Sequence, residues 1–481
     1  MVAGITTLIY ILNAIIAACV ILLRPRDVAA IWAWLLVLFV LPGFGFILYL
    51  FFGRGLTDKK KYRLEQSDLN ELESFADFSE KNLALYGEKM DTTEQQDFVD
   101  FFSSLNRMPV TRKNQVKVFT DGKKKFDALK QDIREATHSI HIEYYAFVTD
   151  TLGTEILRLL EQKAAEGVEV RLLYDAVGSH GTKTKDFEQL IKNGGQASMY
   201  LTSQEALLKF RLNYHDHRKI VVIDGKIGYI GGFNVADQYQ TTTKKFGYWR
   251  DTHLRIYGAA SSLLQMRFIM DWNVSTSAKE KLNYQLDYFF PASEVDDSAT
   301  TSIQLISSGP NTEKEQIKLA FIKSITSAKH RLWIQTPYLV LDESVIAALK
   351  IAAASGVDVR IMIPDKPDHP FIYRATQYYA RQMMKENIKL FIYNGGFLHA
   401  KTLIVDDALA IVGSANQDIR SYKLNFESSA VLYDPTVVDE LEHAFLADQK
   451  VSTQLTSEEI KQMSKWLLLK QQFSRLLSPI L

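Results

Sequence analysis

Two uncharged apolar runs open the chain, Ile5 to Leu23 and, after Arg24-Pro25-Arg26-Asp27, Val28 to Phe52. At ~1.5 Å of rise per residue the first is long enough for the ~30 Å apolar layer of a bilayer. The second is longer and holds Leu41-Pro42-Gly43 inside it. Together they predict a transmembrane helical hairpin over residues 1–54, kinked in its second span near Pro42. A cleaved signal peptide fits less well, because Met1 to Thr7 lacks a basic residue. Lipoprotein cleavage at Cys19 is disfavoured by the apolar Val-Ile-Leu-Leu that follows it. Arg54, Lys59, Lys60, Lys61 and Arg63 after the second run place the remainder on the cytoplasmic side of a multi-pass cell-membrane protein, although Arg24 and Arg26 pull the other way.

Residues 55–113 mix charge with scattered apolar positions and predict a helical linker. From Gln115 the pattern alternates between periods of two and of 3.6: "VKVFTDG" as strand, "KKFDALKQDIREATHS" as helix, "IHIEYYAF" as strand, "TLGTEILRLLEQKAAEG" as helix, "VEVRLLYD" as strand. The second half repeats it with "SIQLISSGP", "EKEQIKLAFIKSITSAKH", "RLWIQTPYLV", "ESVIAALKIAAASG" and "VDVRIMIPD". The fold class is therefore α/β: a tandem duplication, with one unit at 114–290 and a second at 291–481 that ends in a helix. "ALLKFRLNY" (206–214) and "KWLLLKQQFSRLL" (465–477) mix apolar, aromatic and basic residues, as interfacial segments or as helices packed on the core would.

Composition narrows the chemistry. The 481 residues carry 56 basic and 56 acidic side chains, a balance that gives no global field toward nucleic acid. One cysteine excludes a disulfide framework and a cysteine-based zinc site. No G-x-x-x-x-G-K-[ST] loop or dinucleotide fingerprint is present, so neither an ATP-driven nor a redox reaction is expected, and no cofactor or metal.

The chemistry concentrates in one pattern that occurs twice. "HDHRKIVVIDGKIGYIGGFN" carries His217, Lys219, Asp224 and Asn234, and "FLHAKTLIVDDALAIVGSAN" carries His399, Lys401, Asp406 and Asn416 at the same spacing. Each reads H-x-K, four residues, Asp, six residues, then Gly-Gly or Gly-Ser, one residue and Asn. A phosphodiester is an anion, so displacement at phosphorus needs its charge neutralised, a nucleophile aligned and a proton delivered to the leaving oxygen. Two lysines and two asparagines can cradle the oxygens, one imidazole can attack, and the other can serve as acid and base. Asp251 in "YWRDTH" and Glu427 in "LNFESS", each downstream of the histidine of its own repeat, are candidates to fix the imidazole tautomers. Asp224 and Asp406 fall at hairpin turns and are expected to act structurally within the motif. Glu143 and Gln335 occupy equivalent places in the two repeats.

With "HIEYYAF", "WRDTH", "MDW", "QTPYLVLDES", "GFLHAK" and a terminal "RLLSPIL", the chain resembles the phospholipase D superfamily over about residues 114–450, and within it the bacterial cardiolipin synthases. The resemblance implies two phospholipase D-type domains about a pseudo-two-fold axis, and conversion of two phosphatidylglycerols to cardiolipin and glycerol through a phosphatidyl-histidine. It implies His217 as nucleophile and His399 as acid and base, with phosphatidylglycerol, cardiolipin and the bilayer as partners, no nucleic acid, and an oligomer as an open question. A phospholipase D hydrolase or a transferase with another acceptor shares all these residues. A nuclease is disfavoured by the hairpin and neutral charge, and a non-catalytic scaffold by two intact motifs.

Overall fold

The computed structural model describes residues 2–22, 28–49, 90, 92–201, 213–282, 286–289, 291, 299–312, 314–476 and 478. The loop arginines, the basic cluster at 54–63, the linker up to residue 89 and most of 206–214 lie outside them.

The first uncharged run is helix α1 (Val2–Leu22). The second run breaks instead of kinking: α2 (Val28–Val40) and the short α3 (Phe44–Leu48) flank a turn at 41–43 in which Gly43 takes φ +85°. Pro42 cannot donate to the α2 ladder, and Gly43 adopts a left-handed angle that costs it nothing. Asn13 ties α1 to α2 by donating to the Leu38 carbonyl at 2.6 Å. Several side chains of α1 fall outside the described set, and among the described residues no helix is long and apolar enough to cross a membrane.

Beyond it, α4 (Thr93–Asn106) ends on Arg107 at a left-handed φ of 54°, and strand β1 (Val110–Phe119) starts inside the stretch expected to be helical linker. Val110 and Thr111 pair with Gln304 and Ile303, so cross-strand pairing claims these β-branched positions. α4 is no free spacer: Phe98, Val99 and Phe102 are buried in the core of the second half.

The remaining strands of the first half are β2 (Ser139–Tyr144), β3 (Glu169–Tyr174), β4 (Gln196–Met199), β5 (Lys219–Ile223), β6 (Ile227–Gly231), β7 (Tyr248–Arg250) and β8 (His253–Gly258). Those of the second are β9 (Thr301–Ser308), β10 (Arg331–Gln335), β11 (Leu339–Val340), β12 (Asp358–Pro364), β13 (Lys389–Tyr393), β14 (Gly396–Leu398), β15 (Thr402–Val405), β16 (Leu409–Gly413), β17 (Gln417–Asp418), β18 (Glu427–Leu432) and β19 (Ser452–Gln454). The longer helices are α5 (Gly122–Glu135), α6 (Thr151–Ala165), α7 (Ala260–Ser275), α8 (Gln316–Ser327), α9 (Glu343–Ala354), α10 (Pro370–Met384), α11 (Pro435–Lys450) and α12 (Lys465–Leu476). Aspartates set several of their starts: Asp121, Asp150 and Asp342 accept from backbone N–H groups in the first turns of α5, α6 and α9.

The two halves join edge to edge in one 15-stranded sheet, ordered β19-β13-β12-β10-β15-β16-β18-β9-β1-β8-β6-β5-β2-β3-β4. Outward from the antiparallel β1/β9 pair, both directions run through equivalent strands, with β19 added at one edge. This order is the duplication read from the sequence, closed about an internal two-fold. α7 is buried along nearly its whole length in the central core, which draws side chains from both halves, and its buried polar residues are paired, Arg267 with Asp271 among them. Flanking cores hold α5 and α6 on one side and α8, α9 and α10 on the other. Both H-x-K motifs lie beside the central core.

Candidate active site

Each motif enters a β-hairpin. β5 and β6 are joined by Asp224-Gly225 at φ 51° and 65°, with the Lys226 N–H on the Ile223 carbonyl, the geometry of a type I′ turn. β15 and β16 turn similarly through Asp406 at φ 47°. The Asp224 carboxylate accepts from the backbone N–H groups of Thr137, His138 and Ser139, and Asp406 from those of Lys329, His330 and Arg331. Both therefore clamp the start of a neighbouring strand, β2 or β10. At ~3.3 Å per residue, the far end of a strand lies well over 10 Å from the motif lysine. The two aspartates, counted with the catalytic motif from sequence, stand apart from the histidines. Asp406→Ala is expected to lower unfolding free energy by about 2 kcal/mol, from loss of charge-assisted bonds, while leaving kcat within about threefold; urea melts and initial rates check this.

The histidines are brought together by two short ladders that cross between the halves. β7 runs parallel to β14, with Trp249 opposite Phe397, and the His399 N–H donates to the Arg250 carbonyl at 2.7 Å. On the other side Asp216 bridges Phe426, and the His217 N–H donates to the Phe426 carbonyl at 2.9 Å. Each ladder sets the histidine of one repeat against the carboxylate of the other. His217 Nδ1 lies 3.0 Å from both oxygens of Glu427, and His399 Nδ1 lies 2.5 Å from Asp251 Oδ2. The pairing within each repeat expected from sequence order is thus reversed. Nδ1–H donation fixes the tautomer that leaves Nε2 free on both rings. The two histidines keep 9% and 7% of their surface, so both rings are largely withdrawn from solvent.

Electrostatics follow from this burial. Burial, with the neighbouring ammonium groups, pushes His217 and His399 down to about 4, against the opposing pull of their carboxylates. Burial also draws Lys219 down to about 7 and Lys401 to about 8, with Glu427 and Asp251 pulling them back. Lys401 acts on His217 and Lys219 on His399, so the four groups share one electrostatic neighbourhood. Each ammonium donates to the carbonyl of its own motif histidine. Burial alone would raise Glu427, but His217, Lys219 and Ser414 hold it below the usual carboxylate range.

Asn234 accepts from the Ala146 N–H at 3.1 Å and donates to the Tyr239 hydroxyl at 2.7 Å, while Asn416 donates to Asp418 at 3.1 Å. The Asn416 carbonyl oxygen is buried without a protein partner. Gln335 bonds Asp448 and Thr402, and Glu143, its counterpart, is fully buried beside Asp216, where desolvation pushes its carboxyl well up. Both support the site from behind.

Sequence reasoning missed the aromatic walls and the carboxylate's retinue. Tyr145 stands 4.8 Å from the His217 ring, and Tyr239 and Trp249 stand 5.8 and 5.5 Å from His399. Ser414, Ser421 and Asn425 all donate to Glu427. Ser414 was visible as the odd residue in Gly-Ser-x-Asn, where the first copy has Gly-Gly. Among the described residues no group of three or more histidine, cysteine, aspartate and glutamate side chains converges as a metal site would.

A duplicated α/β sheet with two H-x-K motifs sharing one buried site defines a phospholipase D-type protein. The family description "Cardiolipin synthase, PLD-like domain" matches residues 129–248 and 321–449, and "Phospholipase_D-nuclease N-terminal" matches 11–54. A cardiolipin synthase of Listeria monocytogenes is 46% identical over 491 aligned residues, covering 100% of this chain and 99% of that one. One from Staphylococcus aureus is 45% identical, covering 98% and 95%. Among solved structures, the phosphatidylserine synthase of Haemophilus influenzae shares the fold, with TM-score 0.63 at 15% identity over 81% of this chain and 100% of that one. The chain belongs to the bacterial cardiolipin synthases of the phospholipase D superfamily, and it is a phosphatidyltransferase.

Proposed function

We propose that the enzyme transfers a phosphatidyl group from one phosphatidylglycerol to the hydroxyl of a second, releasing glycerol and forming cardiolipin through a phosphohistidine. The observation that carries this is the crossed pairing of His217 with Glu427 and His399 with Asp251. It supplies two oriented imidazoles of opposite duty and needs both repeats to do so. His217 Nε2 attacks phosphorus as the phosphorus–glycerol oxygen bond breaks, and His399, which enters the cycle as the imidazolium once the phosphodiester anion is bound beside it, gives that oxygen its Nε2 proton. His399 then takes the proton from the incoming hydroxyl, which displaces the phosphorus–nitrogen bond. The short bond that His399 donates to Asp251 favours His399 as the ring that carries positive charge. The Glu427 charge is already shared among three other donors, which favours His217 as the neutral nucleophile. Lys219, Lys401 and the asparagines stabilise the phosphoryl oxygens. Bond type is conserved, so no energy source is required.

The division we propose is an N-terminal membrane hairpin at 1–54, a linker ending in α4, and two catalytic units divided near residue 290, facing the cytoplasm. The uncharged run Ile5 to Leu23 and the family match at 11–54 support the anchor. The test is purified full-length protein with labelled phosphatidylglycerol. Cardiolipin plus free glycerol supports the reading; phosphatidic acid alone indicates hydrolysis, and no turnover indicates a scaffold.

A pH dependence follows with a definite sign. The lysine ammonium groups are lost as pH rises through about 7 and 8, so kcat/KM is expected to fall by about tenfold per unit between pH ~7 and ~8 and by about a hundredfold per unit above pH ~8. A bound phosphodiester anion holds the ammonium groups, so the alkaline limb of kcat moves to higher pH. Separate pH profiles of kcat and kcat/KM check the shift.

A further inference from the structure

Helix α12 turns its bulkiest apolar side chains outward. Its packed side is mixed: Gln471 and Ser474 are buried beside the half-buried Leu467 and Leu468, Gln471 donates to Gln377 of α10 at 3.2 Å, and the Arg475 guanidinium lies 5.0 Å from the Tyr378 ring. Its outer side is apolar: Trp466, Leu469, Phe473 and Leu476 are 63%, 57%, 57% and 60% exposed. At ~100° per residue these four fall within an arc of about 80°, opposite Gln471 and well clear of Ser474. Lys465 and Lys470 border the arc on its two sides, both exposed, and no acidic residue occurs anywhere in the helix. A solvent-facing helix of a globular domain has the opposite arrangement.

The helix packs on α10, whose N-cap His369 follows Asp368, the carboxylate that accepts from the Tyr338 hydroxyl and acts on Lys401. Phe371, in the first turn of α10, is a further exposed apolar side chain, at 53%.

We infer that α12 is an interfacial helix that docks the catalytic units onto an anionic bilayer surface, with Trp466, Leu469, Phe473 and Leu476 in the acyl boundary and Lys465 and Lys470 at the headgroups. The occupant follows from complementarity, because a stripe of bulky apolar side chains between cations matches acyl chains below anionic headgroups. The inference deepens the proposed function, since it rests on an anionic diacyl lipid as substrate and holds the catalytic units against the surface that supplies it.

The experiment uses full-length protein in which Cys19→Ser removes the native thiol and Phe473→Cys carries an environment-sensitive fluorophore. It is reconstituted in vesicles of phosphatidylcholine and phosphatidylglycerol whose acyl chains are brominated. The label at 473 is expected to lose about half its emission or more to the bromines, and a label at Gln462→Cys very little. An unquenched label at 473 overturns the inference, as does self-quenching that grows with protein density, which marks a second copy as the occupant. Independently, Trp466→Ser, Leu469→Ser and Phe473→Ser together should slow cardiolipin formation from vesicles about tenfold while sparing monodisperse short-chain phosphatidylglycerol. Equal loss on both substrates overturns the inference. Absence of cardiolipin even from the parent protein would instead remove the proposed function, with bromine quenching still deciding the docking.

Discussion

His217→Ala is expected to reduce cardiolipin formation by ~10⁵-fold and His399→Ala by ~10³-fold, because the first removes the covalent route and the second only the proton transfer. The double variant should be little worse than His217→Ala alone, since residues that act as one unit do not lose activity additively. The two roles separate with an activated substrate. A p-nitrophenyl phosphodiester leaves without protonation, so His399→Ala should regain a burst of nitrophenol stoichiometric with enzyme, whereas His217→Ala gives none. Acid-quenched radiolabel on the protein should follow the same division. A burst from His217→Ala in place of His399→Ala would exchange the roles, and full activity in both single variants would refute the mechanism.

Two stretches carried most of what the sequence could say. The matched spacing of His217, Lys219, Asp224 and Asn234 with His399, Lys401, Asp406 and Asn416 exposed the duplication, and the histidines and lysines among them share one site in the fold while the aspartates stand apart from it. Helix periods were legible where a helix buries one face against a core, as α5 and α6 do, and the central strands were legible as short apolar runs buried on both faces. What stayed hidden depends on pairing between distant segments. β7 and β14 are three residues each and carry no strand signature of their own, yet they decide which carboxylate meets which histidine. Sequence order places Asp251 after His217, and only the crossed ladders hand it to His399. The roles of Asp224 and Asp406 were half visible, since a turn was evident but not the backbone N–H groups of β2 and β10 that complete each carboxylate. The break at 41–43 was read as a kink because a proline alone allows either, and Gly43 settles it by leaving right-handed space.

The crossed pairing has the second large consequence. Asp251→Asn is expected to lower kcat by ~10³-fold with KM within about threefold, because an amide can present its N–H to His399 and favour the wrong tautomer. Glu427→Gln should cost less, ~10²-fold, since Ser414, Ser421 and Asn425 remain to orient the replacement. The discriminating readout is at the imidazoles. In protein labelled at histidine, the downfield Nδ1–H resonance of the ring facing Asp251 should vanish in Asp251→Asn and in His399→Ala, and persist in His217→Ala. The resonance facing Glu427 should behave reciprocally, lost with His217 and kept with His399. Pairing within each repeat predicts the opposite outcome for the two histidine variants, so their spectra, with the carboxylate variants marking each resonance, decide between them. If the crossed assignment holds, neither half of the chain contains a complete histidine–carboxylate pair. Separately expressed halves should then be inactive alone and regain turnover only on association.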